Sequence, residues 1–422
     1  MTNKLTKYMM SEISKAYIDK ELLFGAHNYH PLPVVLEKGS GIKVWDVEGN
    51  SYLDFLSAYS AVNQGHCHPK IIDALIDQAR RLTLTSRAFY NNKLGHLEEQ
   101  LSTTFGFDKV LLMNSGAEAV ETAIKLCRKW AYQKKKIPAG NAKIAFASNN
   151  FHGRTISIIS GSSDRSAKDG FGPFLEGIVQ VPYNNIDALE RMLQSDPYIA
   201  GFLVEPIQGE AGVIIPDDSY LANVSRICKK HGVLYIADEI QTGMGRTGRL
   251  MASYDVQTLE NRPDMIILGK ALSGGVLPVS AVLADDEIML TIKAGEHGST
   301  FGGNPLAAAV AEVALQVIID ENMPANAASM GVIFRDGLQD IAKRNSMIKQ
   351  VRGKGLLNAI EIDCDEHSTM GWEICVKLME GGLLAKPTQG NKIRLAPPLI
   401  ISKEEVQISL KIIAEALENF KS

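Results

Sequence analysis

The chain has 422 residues, 45% of them apolar and 22% charged, and its 44 basic and 48 acidic side chains leave a net charge of −4. This composition belongs to a globular protein with a large core; it excludes a disordered or collagen-like chain, and the charge balance gives no reason to expect nucleic acid or an anionic membrane as partner. The uncharged, largely apolar stretch at about residues 271–284 is broken by Gly and Pro and is shorter than the ~20 apolar residues of a spanning helix.

In chain order, a helical pattern over Thr6–Glu21 leads into Gly/His/Pro-rich chain and then a hairpin-like Ile42–Leu53 that turns at Glu48-Gly49-Asn50. His66-Cys67-His68-Pro69 places two histidines at i and i+2 with no carboxylate–His partner set nearby; loop packing is expected there, and no metal. From about residue 105 to 285, apolar runs of strand length alternate with helical patterns. The strands are expected at Lys109–Met113, Lys143–Ala147, Ile178–Pro182, Gly201–Val204, Val233–Ala237 and Met265–Leu268, and helices at Ala117–Lys134 and Ser219–Lys230. This alternation implies an α/β fold with a mostly parallel sheet covered by helices. Gly243-Met244-Gly245-Arg246-Thr247-Gly248 matches GxGxxG, but no helical face follows it, so no dinucleotide site is expected. Beyond residue 305 come a helix at Pro305–Asp320, strands at Leu356–Ile362 and Lys392–Leu395, and a last helix opened by the capping box Ser402-x-x-Glu405. The expected division is an N-terminal segment 1–55 packing with the small domain, a large domain 56–304 and a small α+β domain 305–422. The five cysteines are scattered and form no CxxC. The N-terminus has no apolar signal core and no Arg before Arg80, so the expected compartment is the cytoplasm.

Three features carry chemistry. Asn114-Ser115-Gly116-Ala117-Glu118 follows a strand and opens an amphipathic helix, where free N–H groups and the helix dipole suit a phosphate. Asp238 ends a buried strand, at the edge of the sheet where ligands bind in open α/β folds, and a buried carboxylate there needs a cationic partner such as a protonated pyridine nitrogen. Lys270 closes the apolar strand before the Gly-rich turn Ser273-Gly274-Gly275; a lysine so placed is costly as an ammonium and suits a Schiff base. Together they match the needs of pyridoxal phosphate: an anchoring amine, a ring-nitrogen partner and a phosphate cradle. Phe151, in Asn149-Asn150-Phe151-His152-Gly153-Arg154 beyond another strand end, is placed to stack on the ring.

The run Asp238-Glu239-Ile240-Gln241-Thr242-Gly243 followed by Gly269-Lys270-Ala271-Leu272-Ser273-Gly274-Gly275 resembles the class III aminotransferases of pyridoxal-phosphate fold type I, over about residues 24–420. Gly25–Pro33, Ser60–Pro69, Thr85–Asn92, Val204–Gly212, Gly295–Thr300 and Arg352–Ile360 are similar to the ornithine δ-aminotransferase branch of that class. The resemblance implies a seven-stranded large-domain sheet and a smaller α+β domain. It implies Lys270 as Schiff-base lysine and proton shuttle, Asp238 on the pyridinium, Gln241 on the ring hydroxyl and Phe151 on the ring face. Ser115, Gly116 and Ala117 would cradle the phosphate, with Ser299 and Thr300 reaching it from the partner subunit of a homodimer. Tyr29, Tyr59 and Arg154 would hold the α-amino and carboxylate ends of ornithine, Arg394 the α-carboxylate of glutamate, and Glu210 would cover Arg394 while ornithine is bound. The implied reaction moves the δ-amino group of L-ornithine to 2-oxoglutarate, giving L-glutamate and glutamate 5-semialdehyde, which cyclises to pyrroline-5-carboxylate. Position 152 is His where animal members carry Trp. The alternatives are ω-aminotransfer from N-acetylornithine or 4-aminobutyrate, an aminomutase, and a non-catalytic binding protein. Tyr29 argues against the acetylated substrate, because a hydroxyl suits a free α-ammonium better than an acetamide.

Overall fold

The computed structural model describes residues 11–420. The first helix runs Glu12–Phe24, with the Ser11 side chain accepting the Ser14 N–H at 3.1 Å as its N-cap. The expected stretch Thr6–Met10 of that helix lies outside the described residues. Strands β1 (Leu36–Ser40), β2 (Lys43–Asp46) and β3 (Ser51–Asp54) form an antiparallel meander. Asp46 shapes the Glu48-Gly49-Asn50 turn by accepting the backbone N–H groups of Glu48 and Asn50 at 3.1 and 2.8 Å.

The central sheet has seven strands: β4 (Lys109–Met113), β5 (Lys143–Ala147), β6 (Ile178–Val181), β7 (Ile199–Val204), β8 (Leu234–Asp238), β9 (Met265–Leu268) and β10 (Ser280–Ala284). Their order is β4-β10-β9-β8-β7-β5-β6. The β6-β5-β7-β8-β9 block is parallel. Only β10 runs against its neighbours. Strand β10 was not among the expected strands. It follows β9 through a short 3₁₀ turn at Lys270–Ser273 with no crossover helix, so it has to return antiparallel. The helix Gly116–Trp130 is shorter than expected and continues into a π-helical turn, Ala131–Lys135. Its face of Val120, Ile124, Cys127 and Ala131 is buried as the period predicted.

The third sheet, β11 (Ile348–Lys354), β12 (Leu357–Ile362), β14 (Lys386–Gln389) and β15 (Lys392–Leu395), is antiparallel in the order β11-β12-β15-β14. Helices Met323–Arg344 and Met370–Glu380 pack on it, and Lys403–Glu418 packs on both helices. The last helix carries the full capping box between Ser402 and Glu405. The short strand β13 (Leu383–Leu384) pairs parallel with β3, which joins the first sheet to the C-terminal region.

The glycine-rich run at 243–248 is a junction. Arg246 is wholly buried and donates to the Leu356 carbonyl at 3.0 Å, the Pro397 carbonyl at 2.5 Å and Asn63 Oδ1 at 2.6 Å. With no carboxylate in contact, burial pulls its guanidinium down to about 9. A Cβ at Gly355 (φ +58°) would stand 2.4 Å from the Thr247 carbonyl carbon, so glycine is required for the two backbones to meet. His66 and His68 pack as loop residues, on Asp54 at 2.7 Å and on Glu321 at 3.1 Å.

Candidate active site

Parallel strands bring their carboxyl ends to one edge of the sheet. The chain leaves β4 into Asn114–Ala117, β5 into Asn149–Arg154, β7 into Glu205, β8 at Asp238 and β9 into Lys270, so residues distant in sequence meet by topology. A cavity of about 190 Å³ lies there, lined by Gly116, Ala117, Phe151, Asp238, Gln241 and Lys270 together with His152 and Glu205.

Lys270 stands at φ +45°, a strained backbone for a residue with a Cβ. Burial lowers its ammonium pKa; the Glu210 carboxylate works against that, and the Arg394 charge adds to it. A depressed ammonium pKa is what a nucleophilic amine requires. Asp238 is 4% exposed; its Oδ1 accepts the Ile240 N–H at 3.1 Å and its Oδ2 meets His152 Nδ1 at 2.6 Å. The buried imidazole donates from Nδ1 to the carboxylate, while its Nε2 has no hydrogen-bond partner. Glu205 accepts the N–H groups of Phe151 at 2.9 Å and Gly209 at 3.3 Å. Burial pushes its carboxyl up to about 7, with His152 opposing and Asp238 adding to the rise. His152 and Glu205 were not singled out for roles in the sequence, although Glu205 follows a buried strand end, the same positional signal that picked out Asp238.

Ser115 caps the helix Gly116–Trp130 in a reciprocal box with Glu118. The N–H groups of Gly116 and Ala117, which such a cap leaves free, open on the cavity. A Cβ on Gly116 would press Ile240 Cδ1 at 2.9 Å. An anionic group at that helix start, an amine at the other wall and a carboxylate at the closed end fit pyridoxal phosphate, with Lys270, Asp238 and Gly116–Ala117 as the residues that would hold it.

Above this floor sits an ion pair. Arg394, 1% exposed, donates to Glu210 Oε1 at 2.6 Å and to Gln241 Oε1 at 3.1 Å, and Gln241 Nε2 donates to Glu210 Oε1 at 3.1 Å. Burial would raise the Glu210 pKa, but the charge and hydrogen bond of Arg394 outweigh it and hold the carboxyl below its ordinary range. A Cβ at Gly209 would lie 1.7 Å from Gln241 Oε1, so glycine there leaves the Gln241 amide its place in this network. Arg394 also lies 4.8 Å from the centre of the Tyr59 ring. Tyr59 belongs to a left-handed turn in which Ser57, Ala58, Tyr59 and Ser60 all have φ between +46° and +70°. That turn costs roughly 1–2 kcal/mol per residue. Asp54 Oδ1, accepting the Leu56 and Ser57 N–H groups, and the Ser57 hydroxyl, donating to the Ala396 carbonyl at 2.7 Å, hold it.

Arg154 is exposed and lies 5.5 Å from the centre of the Phe151 ring. Tyr29, 72% exposed, stands away from the cavity, with Lys386 Nζ 5.8 Å from its ring centre. Ser299 and Thr300 do not line the cavity; Ser299 Oγ accepts from Asn114 Nδ2 at 2.8 Å, beside the helix cap. No group of side chains among the described residues has metal-binding geometry, and none of their helices is long and apolar enough to cross a membrane.

The class III aminotransferase family profile matches residues 24–417, and the chain belongs to that family. It is a pyridoxal-phosphate enzyme of fold type I. The chain is 56% identical over 412 residues to the mitochondrial ornithine aminotransferase of Rattus norvegicus, covering 96% of this chain and 91% of the rat protein. The ornithine aminotransferase of Toxoplasma gondii superposes with a TM-score of 0.93 at 46% identity, over 96% of this chain and 94% of that one. A structure described as the acetylornithine aminotransferase of Elizabethkingia anophelis has a TM-score of 0.87 at 53% identity, over 96% and 99% of the two chains.

Proposed function

We propose that this aminotransferase moves the δ-amino group of L-ornithine to 2-oxoglutarate, in a homodimer whose sites are shared between subunits. The observation that carries the substrate reading is the Glu210–Arg394 pair, 2.6 Å apart beside Lys270. One site must take a diamino acid by its far amine and then a dicarboxylate by its near one. A cation that can be covered or offered meets both demands. The rat and Toxoplasma relatives, both described as ornithine aminotransferases, support the same substrate.

Pyridoxal phosphate, when bound, supplies the protonated ring that takes up the electron pair left at the reacting carbon. Asp238, held by His152 and the Ile240 N–H, keeps a negative charge at the closed end of the cavity for the ring nitrogen. The Lys270 amine, with its lowered pKa, carries the proton between the two carbons that exchange it. Gln241 would reach the ring hydroxyl of the bound cofactor, and Phe151 would cover one face of its ring. Ser115, Gly116 and Ala117 would receive the phosphate, with Ser299 and Thr300 completing the cradle of the other subunit in the proposed dimer. In the ornithine half-reaction, Tyr29, Tyr59 and Arg154 hold the α-amino and carboxylate end while Glu210 occupies Arg394. In the glutamate half-reaction, Arg394 is released to the α-carboxylate and Arg154 takes the distal one. The chain divides near residues 55 and 305, into an N-terminal segment, a large cofactor-binding domain and a small C-terminal domain. The five cysteines are all free, which supports a reducing compartment and the cytoplasm.

An amino-donor panel with trapping of pyrroline-5-carboxylate tests the reading. Ornithine is expected to lead, with a stoichiometric glutamate product from 2-oxoglutarate. A preference for N-acetylornithine or 4-aminobutyrate would replace it.

A further inference from the structure

The left-handed turn at Ser57–Ser60 is fastened to the strand that carries Arg394. The Phe55 carbonyl accepts the Ala396 N–H at 2.8 Å, and the Ser57 hydroxyl donates to the Ala396 carbonyl at 2.7 Å. Both backbone polar groups of the residue two places after Arg394 are therefore held by the chain that enters the turn. On its other side, Asp54 Oδ1 accepts the N–H groups of Leu56 and Ser57 at 2.8 and 2.9 Å. Asp54 Oδ2 meets His66 Nε2 at 2.7 Å, so the first histidine of the His66-Cys67-His68 run backs the turn. Asp54 is buried, and removing its carboxylate leaves those N–H groups without an acceptor. In left-handed backbone each Cβ crowds a carbonyl oxygen, so Ser57, Ala58, Tyr59 and Ser60 relax to other conformations once the outside bonds are gone. What the turn places is Tyr59: its ring centre lies 4.8 Å from the Arg394 guanidinium carbon, within the range of a cation–π contact. Arg394 donates to Gln241 Oε1 at 3.1 Å, and Gln241 lines the cavity.

We propose that Asp54 is a positioning residue: through the left-handed turn it sets the Tyr59 ring against Arg394, and so sets substrate affinity without touching substrate or cofactor. The inference rests on the reading above for the substrate and for the roles of Tyr59 and Arg394. With Asp54 and Ser57 in place, two segments more than 300 residues apart move as one unit, because Ser57 and Arg394 are tied through Ala396. Without the Asp54 carboxylate the turn unwinds and Tyr59 leaves the guanidinium. Ornithine then loses the Tyr59 contact, and glutamate meets an Arg394 that is braced on one face fewer. The floor of the cavity, built by the ends of β4, β5, β8 and β9, is left as it was.

The test measures both half-reactions of the holoenzyme in Asp54→Ala, Asp54→Asn, Tyr59→Ala and the double variant Asp54→Ala/Tyr59→Ala. For Asp54→Ala the KM for ornithine is expected to rise about tenfold (about 1.4 kcal/mol), with kcat and the affinity of the apoenzyme for pyridoxal phosphate each within about twofold. Asp54→Asn keeps the Oδ1 acceptor and should stay within about twofold of the wild type in KM. The double variant should match Tyr59→Ala, because Asp54 acts through that ring. Glycine tolerates left-handed backbone, so adding Ala58→Gly, at an exposed position, should recover at least about threefold of the lost affinity in Asp54→Ala. If Asp54→Ala does not fold, Ser57→Ala removes the tie to Ala396 alone and is expected to raise the ornithine KM about threefold, with the same recovery by Ala58→Gly. An unchanged ornithine KM in the folded variant, a KM effect that adds to that of Tyr59→Ala, or no recovery by Ala58→Gly would each overturn the proposal. A wild-type enzyme that does not use ornithine would overturn the substrate reading itself, which separates the two failures.

Discussion

Replacing Glu210 with alanine separates the two halves of the reaction. In the structure Arg394 has two side-chain acceptors, Glu210 Oε1 at 2.6 Å and Gln241 Oε1 at 3.1 Å, and its Nε and Nη2 are buried without partners. A carboxylate that is to use this guanidinium must first displace Glu210. A charge-assisted hydrogen bond in a buried setting is worth ~1.5 to 3 kcal/mol, or about 10- to 150-fold in an equilibrium. Glu210→Ala removes that competition. The glutamate half-reaction should hold steady or speed up in kcat/KM, with the upper end of this range as its ceiling. Ornithine should fare worse, because a permanently available Arg394 draws its α-carboxylate inward and presents the α-amine to Lys270 in place of the δ-amine. The ratio of the two half-reaction rates should therefore move by about 10- to 150-fold toward glutamate, with products of α-transfer appearing from ornithine. Single-turnover measurements of the cofactor absorbance with each substrate, joined to product analysis, read both effects. If Glu210→Ala slows the two half-reactions equally, the pair is a packing feature and the switch is refuted.

Asp238→Asn should fold yet lose at least ~10³-fold in turnover, since an amide cannot stabilise the protonated ring; this corresponds to ~4 kcal/mol of barrier. Near-normal activity would show that another group faces the ring nitrogen. Glu205, held at about 7 in place of its ordinary 4.5, binds its proton more tightly when folded than when unfolded. Its contribution to the stability of the cofactor-free protein is therefore complete below about pH 4.5 and lost as pH rises through 7, a change on the order of 3 kcal/mol. Denaturant melts at pH 5 and pH 8 should show that decline, and Glu205→Gln should flatten it; an equal slope in the variant would clear Glu205 of the effect. Mixing Lys270→Ala subunits with Thr300→Ala subunits should restore part of the wild-type activity if sites are shared, whereas additive residual activities would place all of each site within one chain.

The local pattern determined the elements. Lys109–Met113, Lys143–Ala147, Met265–Leu268 and the helix Pro305–Asp320 lie where apolar runs and period 3.6 put them, because burial on two faces or on one stripe leaves a signature within a few residues. The strand-to-helix turn at Ser115–Ala117, the strand-end acid and the strand-end lysine were legible for the same reason: each is a short motif at an element boundary. Strand β10 was hidden in an uncharged stretch containing Gly274, Gly275 and Pro278, and its antiparallel course depends on a connection rather than on its own residues. Tertiary structure alone decided what the motifs meet. Sheet order brings His152 to Asp238 and Glu205 to the cavity. The packing of β15 against the loop after β7 closes Arg394 on Glu210 across 184 residues of sequence. The left-handed turn at Ser57–Ser60 has no glycine to announce it, and it persists because Asp54 and Ala396 satisfy its backbone and hydroxyl groups from outside the turn. Long-range pairs of this kind leave no periodic trace in either partner, since the energy that selects them belongs to the contact and exists only once the chain has folded.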